Sequence, residues 1–352
     1  MTIRWGILGC GNVCEVKSGP GFQQARGSEL VAVMRRDAAK AQDFAQRHGV
    51  PRWYSRAKDL INDPEVNAVY IAAPPGMHCE YSLQVAQAEK ACYVEKPMAR
   101  SFAECRQMID AFHEARAPLF VAYYRRALPR FLKVKEVLDS GRLGEVRSVV
   151  CRLTRRAERN LSRENLPWRL QAEHSGGGLF LDLGSHTLDV LDFLFGPLQE
   201  VRGLASNSGG HYDVEDTVSM SFCLSNGAQG IATWDFNAEA SEDTIEIYGA
   251  QGRLSLSTFG IEELRLETSG GVEMLPGTNP PHVQAPLIQS IVDELRGRGT
   301  SPSTGYSAAR TSHVMDIVLE NYYGGRDDDF WNRPESWPGS SRQEFKVKHG
   351  IL

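Results

Sequence analysis

The sequence predicts two domains: a doubly wound parallel α/β sheet over residues 1–122, and an α+β domain with a large, open, mainly antiparallel sheet over residues 123–352. Three observations support this division. Short apolar runs alternate with helical segments in the first third of the chain, a glycine-rich turn follows the first run, and after about residue 145 the runs become strands with alternating side chains. With 352 residues, 41% of them hydrophobic, the chain is long enough to bury two cores.

The alternation in the first domain is typical of crossover units, because two neighbouring parallel strands need a long connection, usually a helix. The apolar runs are almost free of polar residues, as expected for strands covered on both faces. The predicted strands are 3–8, 30–34, 68–72, 91–94 and 119–122, and helices such as 38–48 and 80–88 lie between them.

In the second domain the clearest strand is 217–224, where apolar side chains alternate with small or polar ones. Further strands are predicted at 230–236, 244–248, 253–257 and 262–266, followed by helices at 285–296 and 307–323 and an extended tail from Arg326. The alternation indicates one apolar face. The other face carries weakly charged polar residues, namely Ser219, Ser221, Thr233, Glu246 and Tyr248. We expect this face to form a two-fold interface in a homodimer or homotetramer, with a solvated face on a monomer as the alternative.

The composition argues against several classes of protein. A net charge of −5 gives no basic field for nucleic acid. No apolar run approaches the roughly 20 residues of a membrane span, and the first strand leaves no room for a signal peptide, so a cytoplasmic location is expected. The 7 cysteines are scattered without C-x-x-C spacing, which predicts reduced thiols, no disulfide framework and no structural metal.

The segment Gly9-Cys10-Gly11-Asn12-Val13 directly follows the first strand. Glycines there permit a tight turn and let backbone N–H groups approach a pyrophosphate at a helix N-terminus. Cys14 stands where the usual fingerprint has a third glycine, and would hold helix and strand slightly further apart. We interpret this segment as the dinucleotide-binding turn of a Rossmann domain, with an ordinary glycine-rich turn as the alternative.

Arg35 and Arg36 follow the second strand, where a fold specific for NAD places an acid that binds the ribose hydroxyls. A guanidinium binds a 2′-phosphate through charge-assisted hydrogen bonds, whereas a carboxylate repels it. The sequence therefore favours NADP(H). Two alternatives stay open: a solvated basic turn, and NAD(H) binding in which Asp37 supplies the carboxylate.

Two further motifs carry candidate chemistry. Glu95-Lys96-Pro97 follows strand 91–94, and a lysine there can hydrogen-bond a substrate oxygen and stabilise developing negative charge. Asp182, His186 and Asp189 follow three glycines at 176–178 with i, i+4, i+7 spacing, which places them on one helix face. Carboxylates around an imidazole suit a general acid/base. The alternatives are a structural ion pair, or a metal site that adds His174.

These motifs together resemble the glucose–fructose oxidoreductase and inositol dehydrogenase (Gfo/Idh/MocA) family. Lys96 matches the lysine of its E-K-P motif, Asp182 and His186 match its D-x-x-x-H pair, and residues 123–126 match the segment that leads into the second domain. In the family the bond before this proline is often cis, and residues 72–78 resemble the segment beside the nicotinamide ribose. The family often has an asparagine where Tyr124 stands.

The resemblance completes the predicted site. The predicted cofactor contacts are Gly9, Gly11, Asn12, Val13, Arg35, Arg36, Ala73, Pro74, Pro75, His78, Glu95 and Lys96, and the predicted substrate contacts are Tyr124, Arg126, Trp168, Arg169, Asp182 and His186. The resemblance implies an NAD(P)-dependent oxidoreductase that interconverts a secondary alcohol and a ketone on a sugar, anhydrosugar or cyclic polyol. His186 would exchange the hydroxyl proton, Asp182 would orient the imidazole, and Lys96 would polarise the oxygen. The alternatives are a biliverdin- or dihydrodiol-type reductase, a non-catalytic dinucleotide sensor, and a metal-dependent hydrolase.

Overall fold

The computed structural model describes residues 1–157, 161–327 and 329–333, so most of the tail that was predicted to be extended lies outside the described residues. Phe330–Asn332, at its start, forms a 3₁₀ turn instead. The strands are β1 Ile3–Leu8, β2 Ser28–Met34, β3 Arg52–Tyr54, β4 Ala68–Ile71, β5 Ala91–Val94, β6 Leu119–Val121, β7 Val146–Arg156, β8 Gln199–Ser206, β9 Thr217–Cys223, β10 Gln229–Ala238, β11 Glu242–Gly249, β12 Gly252–Leu256, β13 Leu264–Thr268 and β14 Gly271–Leu275. The helices are α1 Gly19–Gln24, α2 Ala38–His48, α3 Ala57–Ile61, α4 His78–Gln87, α5 Phe102–Glu114, α6 Pro129–Asp139, α7 Ala172–Ser175, α8 Ser185–Phe195, α9 Ala285–Leu295 and α10 Gly305–Tyr323. No helix in these ranges is long and apolar enough to cross a membrane.

The chain divides into two compact units, and the first contains Met1–Ala99, Glu104–Leu128 and Asn279–Ala309. Its six strands form a parallel sheet in the order β3-β2-β1-β4-β5-β6. The strand order reverses between β1 and β4, the point at which ligands bind in open α/β sheets. The glycine turn follows β1 and the proline turn follows β4, so the sequence places both motifs at this switch point.

Aromatic side chains form the part of the core beneath this switch point. Phe22 on α1 lies 4.9 Å from Trp5 on β1 and 5.0 Å from Tyr70 on β4, measured between ring centroids, and Tyr70 stacks on Tyr93 of β5 at 4.9 Å. All four side chains are fully buried. Burying rings of this size supplies a large apolar stabilisation and fixes the strand ends relative to α1.

The first unit also includes Asn279–Ala309, which the sequence-based division had assigned to the second domain. Helix α9 packs on α1, where a Cβ added to Gly21 would lie 2.8 Å from Cδ1 of Ile288. Ser303 Oγ then donates to the carbonyl of Val121 at 2.7 Å, 182 residues earlier in the chain. The predicted boundary at 122/123 differs from the structure, because a single boundary along the sequence cannot represent a later segment that packs back onto the first unit.

The second unit is built on an eight-stranded sheet in the order β14-β13-β12-β11-β7-β10-β9-β8. Strand β10 pairs with β7 in parallel and the other pairs are antiparallel, so the sheet is mainly antiparallel and the predicted fold class is confirmed. The 11-residue strand β7 lies inside this sheet but was not predicted, because four arginines interrupt its apolar alternation. Phe180 packs edge-on against Trp234 of β10 at 4.8 Å, which ties the segment before α8 to the inner face.

The outer face of this sheet is exposed in the chain as it stands. Ser219 pairs with Thr233 and Ser221 with Ile231, and all four side chains are exposed. Ile231 is 54% exposed and is joined by Leu204 at 61%, so this face carries apolar side chains as well as the predicted polar ones. Exposed apolar side chains among weakly charged polar ones are common in protein interfaces.

We expect the substitutions Ser221→Glu and Thr233→Glu, made together, to dissociate the assembly that we propose for this face. Each protomer would bury two new carboxylates at the interface, and the cost of desolvating a buried charge can exceed what an ion pair with the cross-strand Arg202 or Arg152 returns. Light scattering at micromolar concentration measures the outcome. The neutral pair Ser221→Thr and Thr233→Ser should leave the assembly intact, and a wild-type particle of 39.1 kDa would contradict the interface.

Candidate active site

The glycine turn has the geometry that a bound pyrophosphate requires. Gly9 has a φ of +89°, and a Cβ there would lie 3.0 Å from the backbone nitrogen of Ala73. At Gly11 an added Cβ would meet only the Gly9 carbonyl at 3.8 Å, so this side of the turn is open. The helical segment then widens to a π-helical turn, Cys14–Ser18, which begins at the buried cysteine in the third glycine position. These residues fit a dinucleotide, with Asn12 exposed at the start of the helix.

Arg35 points towards the glycine turn. Its Nη1 donates to the carbonyl of Cys10 at 3.5 Å, and the side chain is half-buried, whereas Arg36 is exposed. Burial raises the pKa of the Cys10 thiol to about 11, although the Arg35 charge lowers it. Asp37 is the N-cap of α2 and accepts from the Lys40 amide at 3.2 Å, which helps to lower the pKa of its carboxyl. The carboxylate that would serve NAD(H) is therefore already engaged in capping a helix.

His78 holds two backbone segments together and is only 1% exposed. Its Nδ1 lies 2.9 Å from the carbonyl of Pro97, and its Nε2 lies 2.8 Å from the carbonyl of Ala73. Burial lowers the pKa of the imidazole, against these two hydrogen bonds, which raise it. The predicted cofactor contact of His78 stays a prediction; in the structure both ring nitrogens face backbone carbonyls, and the side chain positions the turn at Ala73 and Pro74. Pro75 is buried as well, while Ala73 and Pro74 remain half-buried.

Lys96 follows β5, is half-buried, and is joined to Pro97 by a cis peptide bond. Its backbone N–H donates to Oε2 of Glu95 at 3.1 Å. The other carboxylate oxygen of Glu95 accepts from Tyr70 Oη at 2.5 Å and from Gln284 Nε2 at 2.6 Å. Glu95 is 8% exposed, so these donors are what makes its burial tolerable. The predicted cofactor contact of Glu95 stays a prediction; in the structure its carboxylate anchors the backbone that carries the lysine.

Gln284 is a part of this arrangement that the sequence did not indicate. It precedes α9, is 1% exposed, and its Oε1 accepts from Tyr93 Oη at 2.9 Å while its amide donates to Glu95. Burial raises the pKa of both Tyr70 and Tyr93 well above the usual value, and the negative charge of Glu95 raises it further. Both phenols therefore act as donors, Tyr70 to the Glu95 carboxylate and Tyr93 to the Gln284 amide oxygen.

The predicted substrate contacts Tyr124 and Arg126 lie in a 3₁₀ turn after β6 and are buried. The guanidinium carbon of Arg125 lies 5.0 Å from the centre of the Tyr124 ring, and Arg126 Nη1 donates to the carbonyl of Pro302 at 3.4 Å. Contact of either side chain with substrate stays a prediction.

In the second unit the three glycines pack against protein backbone and a buried acid. A Cβ at Gly176 would lie 2.8 Å from Cα of Arg100, and one at Gly178 would clash with the carbonyl of Glu215. The Gly178 amide donates to both carboxyl oxygens of Glu215 at 2.9 Å, and Tyr323 Oη donates to Oε2 at 2.5 Å. Glu215 is fully buried, and this burial raises the pKa of its carboxyl. Sequence analysis missed Glu215, whose partners lie 37 and 108 residues away.

Asp182 lies inside a π-helical turn, Phe180–Gly184, and His186 lies at the start of α8, which directly follows that turn. The wider turn departs from the ideal i, i+4 alignment on which the prediction rested. Asp182 accepts from Nε of Arg169 at 3.1 Å and its side chain is 21% exposed, whereas His186 and Asp189 are buried. Arg169 also stacks on Trp168 at 4.3 Å, so the two predicted substrate contacts are adjacent to Asp182.

Phe259, another residue that sequence analysis missed, forms a wall beside His186. The two rings are perpendicular, with centroids 5.6 Å apart. Asp243 fixes the phenylalanine, because its carboxylate accepts from the Phe259 amide at 2.7 Å and from the Thr258 amide at 2.9 Å. In the part of the chain that the structure describes, no group of three His, Cys, Asp or Glu side chains is arranged to hold a metal ion.

Comparison with known proteins identifies the family. Residues 3–123 match the oxidoreductase family with an NAD-binding Rossmann fold, and residues 131–255 match the GFO/IDH/MocA C-terminal domain. The chain belongs to this family. It is therefore an NAD(P)-dependent oxidoreductase, as the resemblance implied.

Three curated relatives span almost the whole chain. Oxidoreductase P35 of Formosa agariphila is 39% identical and covers 90% of this chain and 98% of its own. The 1,5-anhydro-D-fructose reductase of Ensifer adhaerens is 25% identical over 86% of this chain and 91% of its own. The trans-1,2-dihydrobenzene-1,2-diol dehydrogenase of Danio rerio is 28% identical over 91% and 96%. Among solved structures, levoglucosan dehydrogenase in complex with NADH and levoglucosan superimposes with a TM-score of 0.81 at 22% identity, covering 91% of this chain and 97% of that one, which shows the shared fold.

Glu215 gives the second unit a predictable pH dependence. Its pKa is raised in the folded state above the reference value of 4.5, so between 4.5 and the folded value the folded protein keeps a proton that the unfolded chain has released. The free energy of unfolding therefore falls as pH rises through this window. Glu215→Gln keeps an acceptor for the Gly178 amide and removes the ionisation. We expect the Tm of this variant minus that of the wild type to increase with pH across the window, measured by calorimetry.

The exposed Glu263 provides a matched control, since Glu263→Gln removes the same charge without a buried carboxyl. Its Tm difference should vary little over the same pH range. A difference for Glu215→Gln that decreases with rising pH would contradict the assignment.

Proposed function

We propose that this enzyme interconverts a secondary alcohol and a ketone on a sugar, anhydrosugar or cyclic polyol, with NADP(H) as the preferred cofactor. The observation that carries the proposal is the anchoring of Lys96 by the buried carboxylate of Glu95, at the same edge of the parallel sheet as the dinucleotide turn. The names of the relatives support the substrate class, because one acts on an anhydrosugar and another on a cyclic diol. Hydride transfer is the chemistry that the nicotinamide supplies when bound.

The chain's own residues then handle the oxygen and its proton. Lys96 donates a hydrogen bond to the substrate oxygen and stabilises negative charge on it. His186 takes the hydroxyl proton in oxidation and returns it in reduction, and the Phe259 ring limits its rotation. Asp182 orients the imidazole or the substrate, and it forms an ion pair with Arg169. Tyr124, Arg126, Trp168 and Arg169 contact the substrate.

The dihydrodiol dehydrogenase relative favours a second candidate, oxidation of an aromatic trans-dihydrodiol. A panel of neutral sugars, anhydrosugars, ketosugars, cyclic polyols and a trans-dihydrobenzenediol, assayed with NADP(H) and NAD(H) by nicotinamide absorbance, separates the two. Turnover of the diol alone would replace the sugar proposal. Dinucleotide binding without turnover of any member would favour the sensor.

Cofactor preference is tested by Arg35→Asp. The variant loses a guanidinium–phosphate contact and adds repulsion, and a hydrogen bond to a charged group contributes about 1.5–3 kcal/mol. We expect NADP(H) affinity to fall roughly 10–100-fold, with NAD(H) affinity changed only a few-fold. Fluorescence titration of both cofactors measures this. Lys58→Asp makes the same charge change at an exposed position on α3 and should alter neither affinity. Equal affinity of the wild type for both cofactors would contradict the proposed NADP(H) preference.

The catalytic assignment is tested by Lys96→Ala and His186→Ala. Loss of the lysine should lower kcat strongly and leave dinucleotide affinity within a few-fold. Loss of the histidine should cost on the order of 10²–10⁴ in rate and flatten the pH profile. Steady-state kinetics on the best substrate of the panel measures both. The exposed controls Lys58→Ala and His211→Ala should behave like the wild type, and near-normal turnover in both test variants would show that the site is misplaced.

A further inference from the structure

Arg155 differs from the other arginines of strand β7. Arg147, Arg152 and Arg156 are exposed and pair with Glu145, Glu242 and Glu239 at 3.1, 3.3 and 3.8 Å. Arg155 is half-buried, and among residues 1–157, 161–327 and 329–333 no carboxylate lies within ion-pair distance of it. Side chains alternate along a strand, so Arg155 lies on the face of the buried Leu153, opposite Arg152 and Arg156.

On that inner face Arg155 and His186, the candidate acid/base, both lie against the ring of Phe259. Its guanidinium carbon lies 5.5 Å from the centre of the Phe259 ring, and the same ring lies edge-on to His186 at 5.6 Å. The spacing is fixed, because Asp243 accepts from the Phe259 amide and Thr258 Oγ1 lies 3.1 Å from Oγ1 of Thr187, the neighbour of His186.

A stacked guanidinium uses its flat face and keeps its in-plane N–H donors for another ligand. The guanidinium of Arg169 already has Asp182 as its counter-ion, and both oxygens of Asp243 are taken by backbone amides. The positive charge of Arg155 is therefore without a counter-ion on this side of the sheet, among the residues that the structure describes. A carboxylate or phosphate would satisfy it through a bidentate pair.

We propose that Arg155 binds an anionic group of the substrate, so that the enzyme acts on acidic sugars or polyols in preference to neutral ones. The proposal rests on the proposed function for the role of His186. Both His186 and Arg155 lie against the ring of Phe259, so an anionic group bound by Arg155 would lie on the same side of the sheet as the candidate acid/base.

The test is isothermal calorimetry of the full chain saturated with NADP⁺, titrated with glucuronate, galacturonate and glucose 6-phosphate and with neutral glucose and galactose. We expect the wild type to bind at least one acidic ligand roughly tenfold or more tightly than its neutral counterpart, and salt to weaken that preference. Arg155→Met keeps the packing against Phe259 and should abolish the preference, whereas Arg155→Lys should keep part of it. The neighbouring Arg156→Met removes an exposed charge from the opposite face and should keep all of it.

Three results would overturn the proposal. The first is a wild type that binds the acidic ligands no better than the neutral ones, or not at all. The second is an acidic preference that survives in Arg155→Met. The third is an Arg155→Met variant whose NADPH affinity falls while its NADH affinity and its ligand preference persist, because the guanidinium would then serve the cofactor phosphate. Tight binding of acidic ligands without turnover would contradict the proposed function and leave the anion site standing, whereas turnover with no acidic preference would overturn this inference alone.

Discussion

The buried carboxylate of Glu95 is the interaction on which the first unit's chemistry depends. It lies at the end of β5 and joins Tyr70 of β4, the backbone of Lys96 and the side chain of Gln284. Burying this carboxylate without hydrogen bonds would cost several kcal/mol. Each donor therefore stays in place, because its loss would leave the buried charge less well satisfied. The hydrogen-bond network around Glu95 thus fixes the backbone position of Lys96.

Glu215 performs a comparable task in the second unit. Its carboxyl binds the amide of Gly178 directly before the helical segment that carries Asp182 and His186, and Tyr323 closes the other side. The glycines at 177 and 178 leave room for that carboxyl, since a Cβ at either would lie 3.3 Å or less from it. In both units, therefore, a buried acid fixes the backbone that precedes a candidate catalytic side chain.

Sequence reasoning succeeded where the determining contacts are local. The apolar run of β5 followed by Glu95-Lys96-Pro97 was sufficient to place the lysine at a strand end. It failed where the deciding contact is remote. Gln284 lies 189 residues from Glu95, and the burial of His78 between two carbonyls depends on packing that no local pattern records. The π-helical turn that contains Asp182 likewise has no signal in residue spacing.

Because Asn279–Ala309 belongs to the first unit, that unit cannot be exchanged between related proteins as one continuous stretch of sequence. A recombination that replaced only the N-terminal stretch would inherit α9 from the other parent, and with it a foreign residue opposite Glu95 and a foreign surface against Gly21 of α1. The nucleotide-binding half is therefore not a portable module in this chain. A chimaera would need a second crossover that also transfers α9, or compensating changes at Gln284 and Ile288. Only then would it keep the hydrogen bonds that position Lys96.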